Sequence, residues 1–123
     1  MSQHHDWVMR EIEMTVRFVA ETIFKTDTVQ YEILDGANLS ETDLLHRQIV
    51  ELLDDRRLWQ AEHILLQNMD KETLDNLLLA VEFYQSLNQM TDAELAEREF
   101  GREDVMDGLS AVLHRFNIIF PQL

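Results

Sequence analysis

Four times along this chain an apolar residue, a capping residue, and a second apolar residue five positions after the first recur in that order. Leu39-Ser40 answers to Leu44, Met69-Asp70 to Leu74, Met90-Thr91 to Leu95, and Phe100-Gly101 to Val105. A polar side chain or a glycine at the cap meets the free N–H groups of a first helical turn. The residue before it packs on the fourth helical residue as a hydrophobic staple. Four such starts commit the chain to helices, and one Pro and three Gly leave little punctuation between them.

The periodicity gives the elements. Asp6 to Lys25 reads as a helix with a broad core stripe of Val8, Met9, Ile12, Val16, Val19, Ala20 and Ile23. Trp7, Met14 and Phe18 lie on its opposite side, so this helix needs two neighbours: a later helix of the same chain, or another subunit or partner. Residues 1–5 are expected to be disordered. Thr26 to Leu39 is the long ordered connection; Val29, Tyr31 and Ile33 alternate with polar residues, and Asp35-Gly36 suits a turn.

From Ser40 the helices are close-coupled. Ser40 to Asp54 places Leu45, Ile49, Leu52 and Leu53 on one face, and Asp55-Arg56-Arg57 turns the chain into Leu58 to Asn68. There Leu58, Ala61, Leu65, Leu66 and Met69 share a face with Trp59, and so short a turn makes the two helices antiparallel neighbours. Lys71 to Asn88 is apolar nearly all round, with only Asp75, Glu82 and Ser86 wet, so it is expected at the centre. Thr91 and Glu94 form a capping box for a short helix to Glu99. Arg102 to Phe116 carries the stripe Val105, Met106, Leu109, Val112, Leu113 and Phe116, interrupted by Gly108, which close approach of a neighbour would explain. The tail Ile118-Ile119-Phe120-Pro121 is expected to dock on the bundle, the alternative being a binding peptide. The expected architecture is a single all-α domain, 1–123, of five to six mostly antiparallel helices. Its packing is loosely tetratricopeptide-like, without the landmarks of that repeat.

Charge excludes more than it assigns. Twenty-four acids against ten Lys and Arg give a net charge of −14, which repels phosphate backbones and anionic headgroups. Direct nucleic-acid binding and membrane binding are therefore not expected, and no apolar run is long enough to span a bilayer. The start lacks the signature of a signal peptide, and the absence of cysteine fits a reducing cytoplasm. The densest acidic stretch, Asp92 to Asp107, has seven acids and only Arg98 and Arg102. It serves solubility or, in a sharper reading, acts as a decoy for a basic nucleic-acid-binding protein.

No constellation names a chemistry. His4-His5-Asp6 is a weak metal end, and Asp43 and His46 are three apart on one helical face. No paired Glu-x-x-His or His-Glu-x-x-His motif completes a site, and the histidines read as surface residues. Ser40, Ser86 and Ser110 lack nucleophile-elbow glycines, and no Gly-rich phosphate loop exists. No metal, no cofactor and no catalytic residue is expected.

Several segments, in order along the chain, resemble a family of small uncharacterised helical proteins from Firmicutes, classed as a domain of unknown function. They are Asp6-Trp7-Val8-Met9-Arg10-Glu11-Ile12-Glu13, Ala61-Glu62-His63-Ile64-Leu65-Leu66, Ala80-Val81-Glu82-Phe83-Tyr84 with Leu87-Asn88, and Phe100-Gly101-Arg102-Glu103-Asp104 with Gly108-Leu109. The family pattern differs in having a Gly in the turn at Asp55-Arg56-Arg57 and an Asn where His63 stands. The resemblance implies an all-α fold in a bacterial cytoplasm and no particular activity. The functional expectation is a non-catalytic cytoplasmic interaction module that forms a homodimer through Trp7, Met14 and Phe18, since aromatic anchors on a polar face are typical hot spots. The alternatives are the acidic antagonist and an uncharacterised enzyme or metal protein.

Overall fold

A computed structural model of the protein describes residues 3–119, with side chains from residue 6 onward. The chain is all helical across these residues: α1 (Gln3–Val19) runs on into a π-helical turn (Ala20–Phe24), followed by α2 (Glu41–Asp54), α3 (Leu58–Gln67), α4 (Leu74–Asn88), α5 (Asp92–Ala96) and α6 (Arg102–Arg115). The side chains of His4 and His5 and the Phe120-Pro121 end of the tail lie outside the described residues. So do Met1 and Ser2; the backbone of residues 3–5, where disorder was expected, is helical.

Helix starts follow the caps, with one correction. Ser40 and Asp43 form a reciprocal capping box at α2, as do Thr91 and Glu94 at α5. At α6 the Asp104 carboxylate accepts the Gly101 N–H at 2.8 Å. Asp70, however, caps nothing. α4 starts at Leu74 with Thr73 as its cap, because Asn76 bonds back to the Thr73 hydroxyl and the Lys71 carbonyl and holds residues 71–73 out of the helix. The staples divide accordingly. Met90 with Leu95 and Phe100 with Val105 are buried pairs, whereas Leu74 is 63% exposed and Leu44 54% exposed.

Three helix ends close through a residue in the left-handed region, and none of these residues is glycine. Arg56 (φ 60), Glu99 (φ 54) and Asn117 (φ 58) follow α2, α5 and α6. In each case the next N–H reaches back to a carbonyl of the last turn: Arg57 to Leu52, Phe100 to Leu95 and Ile118 to Leu113, at 2.8 to 3.0 Å. This is the Schellman geometry. Arg56 occupies the turn where the family resemblance placed a glycine, and its positive φ is the physical reason a glycine suits it. Lys25 (φ 58) ends the π turn in the same backbone region.

α4 is the central element, packed against α1, α2 and α6. Nine of its residues are buried, among them Phe83 and Tyr84, whose rings meet edge to face at 5.0 Å. The arrangement of α4 and α6 is antiparallel: Arg102 at the start of α6 reaches Asn88 at the end of α4, and Gly108 lies against Tyr84. A Cβ at position 108 would stand 2.4 Å from the Tyr84 ring, so close approach is why that position is glycine. α2 and α3 form the expected hairpin. Trp59 and Leu66 are turned out from the α3 core face; the Trp59 ring lies 4.2 Å from Phe100 and its indole N–H donates to the Arg98 carbonyl.

Candidate functional site

The residues singled out on α1 separate by exposure. Val8, Ile12, Val16, Val19 and Ala20 are buried on the inner face, facing α4 and α6. Trp7, two turns before Met14, is 58% exposed, and Met14 is 46% exposed. Phe18 is half-buried and packs on the core. The outer stripe therefore presents a Trp and a Met, with Phe18 joining it to the interior. Arg10, Glu13, Arg17, Glu21 and Lys25 are exposed around it.

A second cluster forms where the long connection crosses α2 and α4. Val29 and Tyr31 turn inward, as their alternation implies, and are buried without forming a strand. The Tyr31 hydroxyl donates to Asp43 Oδ1 at 2.6 Å, and its backbone N–H donates to Glu82 Oε2 at 2.6 Å. Its ring stacks on His46 at 4.7 Å, and His46 Nε2 lies 3.3 Å from Glu82 Oε1. Burial and the hydrogen bond to Asp43 push the Tyr31 phenol up to about 12. The same hydrogen bond, with that from the Ser40 N–H, holds the Asp43 carboxyl below its ordinary range. Asp43 thus caps α2 with one oxygen and holds Tyr31 with the other.

This cluster corrects two expectations. Glu82 is not a wet residue of α4; it is half-buried and spoken for by Tyr31 and His46. His46 is not a surface histidine, and its Nδ1 is buried without a partner, while His63 and His114 are exposed. Asp43 and His46 do share a helical face, but Tyr31 occupies the carboxylate. Among the described residues no three His, Asp or Glu side chains are placed to hold a metal ion.

Two further polar groups are buried in ways that local sequence does not signal. Arg102 reads as one of two cations relieving an acidic stretch, yet it is 6% exposed. Its guanidinium donates to the carbonyls of Asn88 (2.7 Å) and Met90 (2.9 Å) and to Asp92 Oδ1 (2.6 Å), closing the C-terminal end of α4. On the other side of α4 the Tyr84 hydroxyl donates to Glu62 Oε2 at 2.8 Å. Burial raises both groups, the Glu62 carboxyl and the Tyr84 phenol.

A groove of about 320 Å³ lies between α1, the long connection and the end of α4, with Glu13, Arg17, Asp27, Thr28, Gln85 and Gln89 on its walls. Among the described residues no helix is long and apolar enough to cross a membrane.

No curated protein and no solved structure matches the chain. The model of one protein family, described as a family of unknown function (DUF6483), matches residues 2–117. That span takes in nearly all of the described residues, from α1 with its stripe through the long connection to α6, and so the chain belongs to DUF6483.

Proposed function

We propose that the protein is a non-catalytic helical interaction module of the bacterial cytoplasm that pairs with a second copy of itself through the outer face of α1. The observation that carries this reading is the exposure of Trp7 and Met14, seven residues apart, on a helix whose opposite face is already buried. Large apolar side chains ringed by polar ones are what an interface core requires.

Charge favours a second copy as the occupant. Residues 6–25 carry four acids (Asp6, Glu11, Glu13, Glu21) against three bases (Arg10, Arg17, Lys25), in a chain with 24 acids and ten bases. A copy of this acidic protein therefore meets little repulsion at α1. A basic partner would be drawn elsewhere. Because Arg102 is buried, the Asp92–Asp107 stretch offers Arg98 as its exposed cation beside Glu97, Glu99, Glu103 and Asp107, and that face is the one the acidic-antagonist reading would use.

The double variant Trp7→Glu/Met14→Glu tests the proposal. Its far-UV circular dichroism and melting temperature should match the wild type while self-association is lost. Collapse of the helical signal would place the two side chains in the core and overturn the reading.

A further inference from the structure

We infer that the 26–39 connection is a strap that opens as one unit while the helices stay folded, with Tyr31 as its latch and the 320 Å³ groove beside it as the space it controls. Between residues 27 and 39, Tyr31 supplies the one described backbone N–H that donates to a helix, through Glu82. The remaining ties are the Tyr31 phenol on Asp43, the Tyr31 ring on His46, and the Gln85 side chain donating to the Val29 carbonyl. At its start the Thr26 N–H donates to the Ala20 carbonyl of the π turn, and further bonds such as Thr26 to Thr28, Ala37 to Asp35 and Asn38 to Asp35 stay within the segment. Its anchorage is thus confined to Val29–Ile33, between exposed flanks that include Leu34 at 91%. Val29 and Tyr31 are buried there and Ile33 packs on the core, so the apolar and polar ties fall in one cluster, and a segment held at one cluster opens at a lower free energy than the helices.

Opening leaves the helices supported. Asp43 keeps the Ser40 N–H of the α2 cap, and Glu82 keeps His46. The strap's ends suit a hinge: the left-handed Lys25 at the close of the π turn, and the Asp35-Gly36 turn before the Ser40 cap. Because Asp27 and Thr28 form one wall of the groove, opening the strap widens it toward α1 and α4.

Amide hydrogen exchange of the full chain at pH 7, read by mass spectrometry, tests the inference. In the wild type, peptides over 27–39 should exchange well ahead of those over α4 and α6. Tyr31→Phe removes a charge-assisted hydrogen bond, so it should speed exchange of the residue-31 amide, the strap N–H held by a helix side chain, by roughly tenfold to a hundredfold and leave α4 and α6 unchanged. Glu82→Gln, which keeps the side chain's shape, should act in the same direction and serves if Tyr31→Phe does not fold. Strap amides as protected as those of α4, or variants that speed strap and helices equally, would overturn the inference.

Discussion

Tyr84 stands where a side chain at position 108 would have to go: a Cβ there would lie 2.4 Å from the ring's Cε1 and 2.5 Å from its hydroxyl oxygen. Tyr84 is fully buried and tied to Glu62, so it has nowhere to move. Gly→Ala in an exposed helix interior stabilises by about 1 kcal/mol. Here the sign reverses. Gly108→Ala should destabilise by about 1–3 kcal/mol through overpacking, read as a lower urea midpoint at unchanged slope. A stabilised Gly108→Ala variant would mean that α4 and α6 do not approach this closely.

Glycine is absent from the positions whose backbone asks for it. Glu99→Gly should stabilise by about 0.5–1 kcal/mol, because a non-glycine residue in the left-handed region is strained. Arg56→Gly should gain less, since it also gives up the half-exposed ion pair with Glu94 at 3.2 Å. Thermal unfolding ranks the two. A larger gain at Arg56 than at Glu99 would contradict this account of the turns.

Arg102 holds the end of α4 by its fork of donors. Arg102→Ala leaves two carbonyls and Asp92 without it and should cost about 2–4 kcal/mol. Arg102→Lys should recover only part of that, because an ammonium cannot span three acceptors in the plane of a guanidinium. Full recovery with lysine would show that charge alone matters at this position.

Two carboxyls should move stability with pH in opposite senses. Asp43 is held low in the folded state, so its contribution is present above its unfolded value, about pH 4, and is lost as pH falls through the folded one. Asp43→Asn should therefore be less stable than wild type at pH 7, with the gap closing in acid. Glu62 is raised by burial, so its contribution is present below its unfolded value and is lost as pH rises through the folded one. Glu62→Gln should be more stable than wild type at pH 7, and that gap too should close in acid. Urea titrations of the three proteins from pH 3 to 8 measure both gaps; the same sign for the two variants at pH 7 would contradict the assignment.

The helices were legible because their signals are local. Ser40 with Asp43, Thr91 with Glu94 and Gly101 with Asp104 are three residues apart, and the core stripes repeat within a turn. The α4 start was misread because Asp70 and Thr73 are both competent caps, and the choice rests on the contacts of Asn76, one of them to Thr42 in another helix. The strap cluster was legible only in pieces. The alternation of Val29 and Tyr31 and the spacing of Asp43 and His46 are visible, but the bond from Tyr31 to Glu82 spans 51 positions and leaves no local trace. Arg102 was hidden for a similar reason: two of its acceptors are backbone carbonyls, which no side-chain pattern records, and the third, Asp92, lies ten positions away in an acidic run. Periodicity predicts the α1 stripe of Trp7, Met14 and Phe18; Trp7 and Met14 are exposed on the face away from the core, whereas Phe18 is half-buried and packs against it, a difference that spacing alone does not signal.

Molar mass in solution, by size-exclusion chromatography with light scattering at low micromolar concentration and at low and high salt, tests the central proposal most directly. Association through the apolar face of α1 predicts a mass twice 14.6 kDa. The dimer should persist or strengthen as salt screens the repulsion between two chains of net charge −14. A protein that stays monomeric at both salt concentrations, or a dimer that Trp7→Glu/Met14→Glu leaves intact, would contradict it.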